Sequence, residues 1–221
     1  MLIDLHTHSY PKSDDSFAAI DDLIDKAKES HLDGICLTDH DFFWSNDEVL
    51  DLAKRHDFLI LPGCEINTDN GHVLVFGLDR YVFGMHKPDF LVDALRQRNG
   101  AMIAAHPYRR RFLEDPGHLP EARQEMLERA CGDDFFGSCD GIEGVNGRGK
   151  PVQNQFSQDL ADGLGIKMTG GSDAHRVEQM GTAATLFERK IAGLDDLIRE
   201  LKAGRFRAEK LINPQEASRT A

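Results

Sequence analysis

Short apolar runs recur along the chain, and polar residues follow each of them. A run of this kind between polar segments is typical of a strand that is buried on both faces of a sheet. We therefore predict seven buried strands, at residues 2–5, 34–37, 58–61, 73–76, 101–105, 141–145 and 165–168.

Segments with a helical spacing of apolar residues lie between most of these strands. In the first segment, Ile20, Leu23, Ile24 and Ala27 recur at the period that places them on one face of a helix. The predicted helices cover residues 20–27, 49–53, 88–98, 119–130, 152–164 and 194–203, and Gly204 is a suitable stop for the last. Strands and helices that alternate in this way indicate a βα barrel or a doubly wound sheet.

One connection between strands breaks this alternation. The segment between Glu65 and His72, residues 66–71, is too short for a crossover helix and ends in Asn70-Gly71, a dipeptide that favours tight turns. It predicts a hairpin whose second strand, from Val73, runs antiparallel to its predecessor. Glu65 and His72 should then lie at the same end of a distorted barrel.

The length of 221 residues suits one barrel domain. A folded monomer of this size buries about 70% of the surface that its unfolded chain exposes, which is enough for a core without disulfides. We expect a single domain over residues 1–221, with residues 205–221 as a C-terminal capping tail.

Acidic residues outnumber basic ones, since 38 Asp and Glu against 26 Lys and Arg give a net charge of −12. This balance disfavours extended binding to nucleic acid or to an anionic membrane, but a small anionic substrate can still bind where cations gather locally. No apolar run approaches the roughly 18 residues of a membrane span, and the N-terminus lacks the features of a signal peptide. We expect a cytoplasmic protein, with Cys36 and Cys64 as reduced, buried thiols.

Histidines and carboxylates follow several of the predicted strands. Because strand ends in a βα barrel open onto one face, these scattered positions should converge in space. They are His6 and His8 after the first strand, His40 after the second, His106 after the fifth, and Asp173 with His175 after the seventh.

The spacing of these residues favours metal binding. His6 and His8 are two positions apart, so their rings point the same way on an extended chain and can hold one ion, as can Asp173 and His175. Glu65 ends an apolar strand, where a carboxylate is costly to bury unless it is paired or bound to metal. A bridging position between two cations would suit it.

Five motifs, in order along most of the chain, resemble those of the PHP family, which is named for polymerase and histidinol phosphatase. They are Asp4-Leu5-His6-Thr7-His8, Thr38-Asp39-His40-Asp41, Gly63-Cys64-Glu65 with Gly71-His72, Ala105-His106-Pro107, and Gly171-Ser172-Asp173-Ala174-His175.

The resemblance implies an α/β fold, a distorted seven-stranded (β/α)7 TIM-like barrel of the PHP type, with two or three divalent metal ions. Three ligand groups are implied: His6, His8, Glu65 and Asp173; Glu65, His72 and His106; and Asp15, His40 and His175. Asp15 matches a Ser-x-Asp-Ser spacing and Asp14 a Ser-Asp-x spacing, so either aspartate of Ser13-Asp14-Asp15-Ser16 could complete the third group.

The mixture of imidazoles and carboxylates suits Mn²⁺, Fe²⁺ or Zn²⁺ better than Ca²⁺. Bridged metals of this kind lower the pKa of a shared water and stabilise charge on phosphoryl oxygens. The implied catalytic group is a metal-bridged hydroxide held by Glu65 and Asp173, and the implied reaction is hydrolysis of a phosphate ester.

Arginines near the same face are candidates for binding substrate. Arg109, in Tyr108-Arg109-Arg110-Arg111, follows His106-Pro107, and Arg148 follows the sixth strand. A guanidinium can hold two phosphate oxygens at once, so we predict that Arg109 and Arg148 contact phosphate.

Four functions stay open from the sequence. The first is a metal-dependent phosphoesterase that hydrolyses monoesters of a small metabolite or nucleotide. The second is an oligonucleotide exonuclease of the same family, which would need a basic track leading from the metal face, and only Arg109–Arg111 supply one. The third is a non-catalytic, metal-stabilised module that serves a partner, and the fourth is an amidohydrolase-like enzyme that cleaves C–N bonds without phosphate-binding arginines.

Overall fold

A computed structural model describes residues 1–113 and 120–211 of the chain. Within them the strands are Leu2–Asp4 (β1), Gly34–Leu37 (β2), Leu59–Pro62 (β3), Cys64–Thr68 (β4), Gly71–Phe76 (β5), Ala101–Ala104 (β6), Gly141–Asn146 (β7), Met168–Gly171 (β8), Ala183–Phe187 (β9) and Phe206–Lys210 (β10). The helices are Ile20–Glu29 (α1), Asn46–His56 (α2), Pro88–Gln97 (α3), Tyr108–Arg111 (α4), Pro120–Cys131 (α5), Pro151–Leu164 (α6) and Leu194–Lys202 (α7).

The strands form two five-stranded sheets, in the orders β10-β9-β1-β2-β3 and β4-β5-β6-β7-β8. The mixed α/β class is confirmed, but in place of the predicted distorted seven-stranded barrel the described residues form these two sheets and no closed barrel. β9 pairs antiparallel with β1 at Leu2 and Ile3, so it occupies the edge of β1 that β8 would need to close the ring. Isolated bridges, Thr7 with Ala174 and His40 with Glu65, lie along the seams between the two sheets.

The predicted hairpin is confirmed, with β4 and β5 antiparallel and Thr68 opposite Gly71. Gly71 has a φ of +128°, a conformation that glycine adopts without a steric cost. β4 is a separate strand from β3, because Gly63 interrupts the run after Pro62 and its N–H donates to the carbonyl of Leu37.

Two boundaries near the C-terminus differ from prediction. Gly165 takes a left-handed φ of +66° and caps α6, so the strand predicted at 165–168 begins only at Met168. Residues 206–210, placed in the predicted capping tail, form strand β10 against β9 and bury Phe206. The rest of that tail, residues 212–221, lies outside the described residues.

The helices pack on the outer faces of the sheets as their sequence period requires. Leu23, Ile24 and Ala27 of α1 are fully buried, and each large side chain buried in this way contributes about 1.5–3 kcal/mol. Cys36 and Cys64 are buried free thiols, as predicted. Among the described residues no helix is long and apolar enough to cross a bilayer.

Candidate metal centre

The nine predicted ligand residues lie together at one end of the sheets. The bridge between Thr7 and Ala174 explains why two distant segments meet there. The N–H of His8 donates to the carbonyl of Ala174, and the N–H of Asp173 donates to the carbonyl of His6. His6, His8, Asp173 and His175 flank this bridge at alternate positions, so their side chains point to the same side.

The middle of the cluster is formed by His6 and His8, whose Nε2 atoms are 3.0 Å apart. These atoms lie 3.3 Å and 3.2 Å from Oε2 of Glu65. They also lie 3.6 Å and 3.5 Å from Oδ1 of Asp173. All four side chains are fully buried, so two carboxylates and two imidazoles lie together away from bulk solvent.

Glu65 stands between two groups of histidines. Its Oε1 lies 2.8 Å from Nδ1 of His72 and 2.9 Å from Nε2 of His106. Its Oε2 faces His6 and His8 and lies 3.1 Å from Nδ1 of His40. The two oxygens of this one carboxylate can therefore serve two neighbouring ions.

Asp15 completes a third group at the rim. Its Oδ2 lies 2.9 Å from Nε2 of His175 and 3.5 Å from Nε2 of His40. Asp14, the alternative that the sequence left open, is exposed and has no hydrogen bond or ion pair among the described residues. Of the two aspartates, the structure brings Asp15 into the cluster.

Two buried oxygens in the cluster have no hydrogen-bond donor, and this tests whether a cation fits. They are Oε2 of Glu65 and Oδ1 of Asp173. An unpaired buried carboxylate oxygen is costly, and both oxygens face imidazole nitrogens that can also coordinate metal. Divalent cations would satisfy both sets of atoms. Four triads bring potential ligand atoms within 4.8 Å of one another: His8, His40 and His175; His6, His106 and Asp173; His6, His8 and Glu65; His40, Glu65 and His72.

The electrostatics of the cluster keep its carboxylates charged. Burial opposes ionisation, but His6 and the neighbouring imidazoles hold the pKa of Glu65 well below its usual value. Burial also raises the pKa of Asp173, but His6 and its other neighbours lower it further, so this pKa is well below normal as well. Burial lowers the pKa of His40, His106 and His175, which favours the neutral imidazole that a metal requires.

Glu143 on β7 is a component that the sequence reasoning missed. Its Oε1 lies 2.8 Å from Nδ1 of His6, and its Oε2 accepts hydrogen bonds from the backbone N–H of His106 at 2.8 Å and from Asn146 Nδ2 at 2.9 Å. A carboxylate on Nδ1 directs Nε2 of His6 into the cluster and makes it a stronger ligand. The available signal was an acidic residue inside an apolar strand, the same signal that identified Glu65.

A second missed contact orients His8. Ser13 Oγ lies 3.2 Å from Nδ1 of His8 and donates a 2.8 Å hydrogen bond to Asp39. Trp44 Nε1 donates to the other oxygen of Asp39 at 2.7 Å. The loop that carries Asp15 is therefore fastened to β2 through buried polar groups.

The two arginines predicted to bind substrate point into the cluster. Arg109, on α4, forms an ion pair with Asp173 Oδ2, while Asp173 Oδ1 has no hydrogen-bond donor. Nη1 of Arg148 lies 2.9 Å from Nδ1 of His175 and 3.5 Å from Asp173 Oδ1. Their side chains are 33% and 37% exposed, so both guanidinium groups can be reached by a molecule that enters from solvent.

Backbone strain accompanies two ligand positions. His106 has a φ of +28° and Asp173 a φ of +54°, conformations that cost non-glycine residues about 1–3 kcal/mol and concentrate at functional sites. Gly171 permits the close approach of β8 to His6, because a Cβ there would lie 2.5 Å from Cβ of His6.

Comparisons with known proteins agree with the motifs. A family model described as PHP-associated matches residues 151–206. A Thermotoga maritima protein named "Probable histidinol-phosphatase" is 26% identical over 230 residues, which cover 93% of each chain.

Two solved structures share the fold. PsfC from Pseudomonas syringae has a TM-score of 0.63 at 23% identity, and the match covers 99% of this chain and 95% of PsfC. A two-domain Bacteroides vulgatus protein, described as containing a predicted PHP-like metal-dependent phosphoesterase, has a TM-score of 0.63 at 21% identity over 96% of this chain and 65% of its own. With five motifs in order, a PHP-associated family model over the segment that carries Asp173 and His175, and a relative along nearly the whole length, this chain is similar to proteins of the PHP family.

Proposed function

We propose that this protein is a hydrolase, a metal-dependent phosphoesterase that acts on phosphate monoesters of a small metabolite or nucleotide. One observation carries the proposal. Two buried carboxylate oxygens, on Glu65 and Asp173, lack hydrogen-bond donors and face several imidazoles. Two accessible arginines lie beside them. Cation ligands and phosphate donors thus meet in one place.

The ligands divide between the buried centre and its rim. His6, His8, Glu65 and Asp173 would hold one ion, His72 and His106 would share Glu65 with a second, and Asp15, His40 and His175 would serve a third. This mixture of nitrogen and oxygen ligands suits Mn²⁺, Fe²⁺ or Zn²⁺. When bound, such ions supply an activated water and positive charge against the phosphoryl oxygens.

The chain's own residues would position the phosphate. Arg109 and Arg148 both lie beside Asp173. Burial lowers the pKa of Arg109, but the charge of Asp173 raises it more, so Arg109 stays charged. Guanidinium groups bind phosphate oxygens through paired hydrogen bonds, which fixes the orientation of the ester. In a chain of net charge −12, these local cations permit an anionic substrate to approach.

The names of the relatives support this reaction class. The Thermotoga maritima protein is a probable histidinol-phosphatase, and the Bacteroides vulgatus protein contains a predicted metal-dependent phosphoesterase. Both names describe the cleavage of phosphate esters, and neither requires the same substrate here.

The test measures phosphate release by chelated protein before and after reloading with Mn²⁺, Fe²⁺ or Zn²⁺. The panel contains sugar phosphates, nucleotides, nucleoside bisphosphates, histidinol phosphate and a short oligoribonucleotide. We expect metal-dependent release from at least one monoester and loss of release in Glu65→Gln. The control is Glu200→Gln, because Glu200 is equally buried but pairs with Arg205 outside the cluster. Metal-loaded protein that releases phosphate from no monoester would refute the proposal, and shortening of the oligoribonucleotide would favour the exonuclease instead.

A further inference from the structure

A small, partly open cavity lies beside the candidate metal centre. Two of its lining residues, His72 and His106, also contact Glu65 Oε1, so the cavity begins where the cluster ends. An ester whose phosphate lies on the cluster would direct its alcohol portion into this space.

Several residues that line the cavity are apolar. They are Ala104, Ala105 and Pro107 and the buried Phe135 and Phe136. Asn70 of the β4–β5 turn contributes a polar edge, and its Nδ2 lies 3.4 Å from both carboxylate oxygens of Asp133. A compact carbon skeleton fits such walls better than a long chain.

The charged residues that line the cavity are basic. Among the described residues, two arginines line the cavity and no aspartate or glutamate does. Arg109 is already paired with Asp173. Arg110 donates only to neutral oxygens, the carbonyls of Thr68 at 3.1 Å and Asp69 at 3.4 Å and Oδ1 of Asn67 at 3.1 Å.

Two aspartates near the cavity have other partners. The side chain of Asp69 pairs with Lys87 at 2.6 Å, and Asp133 pairs with Arg111. Arg110 is therefore held in place by its three hydrogen bonds while its positive charge stays without an ion pair among the described residues. A fixed, unpaired guanidinium at a partly enclosed cavity favours an anionic ligand.

We propose that this cavity, defined by His72, His106, Arg110 and Phe136, binds the alcohol portion of the substrate and that Arg110 recognises a second anionic group on it, a carboxylate or a second phosphate. The inference rests on the proposed phosphoesterase function and narrows its substrate class. A substrate with a cationic amine in the same place would meet Arg110 with like charge.

Binding of phosphonates tests this inference without turnover. Protein reloaded with Mn²⁺ is titrated calorimetrically with phosphonocarboxylates of two to four methylenes and with alkylphosphonates of the same lengths. We expect at least one carboxylate compound to bind about tenfold more tightly than its alkyl counterpart, the range of one charge-assisted hydrogen bond. In Arg110→Gln the advantage should fall below about twofold, while alkylphosphonate affinity stays as in the wild type.

Two further variants separate recognition from folding effects. Arg110→Lys retains the charge and should preserve most of the advantage. Arg96→Gln removes one charge from a 73% exposed position on α3 and should change nothing. Equal binding within every phosphonate pair, or an advantage that persists in Arg110→Gln, would overturn the inference.

The assay also distinguishes failure of the inference from failure of the proposed function. Hydrolysis of esters and binding of alkylphosphonates, without any preference for a second anion, would overturn only the role of Arg110. If metal-loaded protein bound neither inorganic phosphate nor any phosphonate and hydrolysed no ester, both proposals would fall.

Discussion

Glu143 should determine how tightly the centre holds a divalent cation, because its carboxylate orients His6. Replacing Glu143 by glutamine preserves the shape but leaves one carbonyl oxygen where there were two acceptors. The two oxygens now face three nitrogens: His6 Nδ1, the backbone N–H of His106 and Nδ2 of Asn146. In either orientation of the amide, its NH2 group replaces an oxygen that these nitrogens need.

The magnitude follows from the two orientations. If the amide oxygen faces His106 and Asn146, the NH2 group meets His6 Nδ1 and favours the tautomer that carries its proton on Nε2, which blocks the ligand atom. If the oxygen faces His6, the NH2 group opposes two other donors. Either outcome exchanges a charge-assisted bond of about 1.5–3 kcal/mol for a neutral or broken one. We expect metal affinity to fall about 10- to 100-fold.

The assay is a competition titration of Zn²⁺ or Mn²⁺ against a chelator of known affinity, with circular dichroism to verify folding. Glu200→Gln is the matched control, since it alters a buried carboxylate on α7 that pairs with Arg205 and should leave metal affinity within about twofold. A folded Glu143→Gln protein that binds metal as tightly as the wild type would refute the assigned role of Glu143.

Three other predictions concern stability. Metal added to chelated protein at about 100 times the dissociation constant of the site should stabilise the folded protein by about 2.7 kcal/mol and raise its Tm by several degrees in a thermal melt. An unchanged Tm would contradict a metal site that exists only in the folded protein. Phe156→Ala should lower the free energy of unfolding by about 3–5 kcal/mol in a denaturant titration, because this ring is fully buried and stacks on Phe112 at 5.0 Å; Phe83→Ala, at an 88% exposed position, should change it by less than about 0.5 kcal/mol. Burial raises the pKa of Asp4 from 3.8 to about 7, against hydrogen bonds from Ser172 and His6. Since the folded state holds this proton more tightly, the stability contributed by Asp4 is complete below about pH 4 and is lost as pH rises toward 7. Denaturant titrations of chelated protein at several pH values should show this loss in the wild type but not in Asp4→Asn, and parallel profiles would refute it.

Local sequence predicted most elements because burial and turn chemistry are local signals. The apolar run at 34–37 became β2 unchanged, and Asn70-Gly71 placed the hairpin turn correctly. β9 escaped prediction because its first residues, Ala183, Ala184 and Thr185, are small and carry little apolar signal. The short helix α4 escaped as well, because four residues show no period.

The candidate site was predictable where strand ends determine position. His6, His40, His106 and Asp173 follow buried strands, so their convergence needed only the rule that such ends share one face. The choice between Asp14 and Asp15 required the loop geometry, which brings Asp15 to His175. Glu143 carried the same local signal as Glu65, an acidic residue inside an apolar strand, but its role in orienting His6 required the tertiary structure.

The sequence by itself determined which side chains are available for chemistry and which strand ends carry them. This is possible because a local run of apolar residues marks where a buried strand lies along the chain. Which sheet edges pair was decided only in three dimensions: β9 takes the edge of β1, and two sheets replace a closed ring. That Arg110 has no ion pair within residues 1–113 and 120–211 was also decided there, because Asp69 and Asp133 pair with other residues. Whether a strand edge or a charged side chain finds a partner depends on which partners its neighbours have already taken, and only the folded structure decides this.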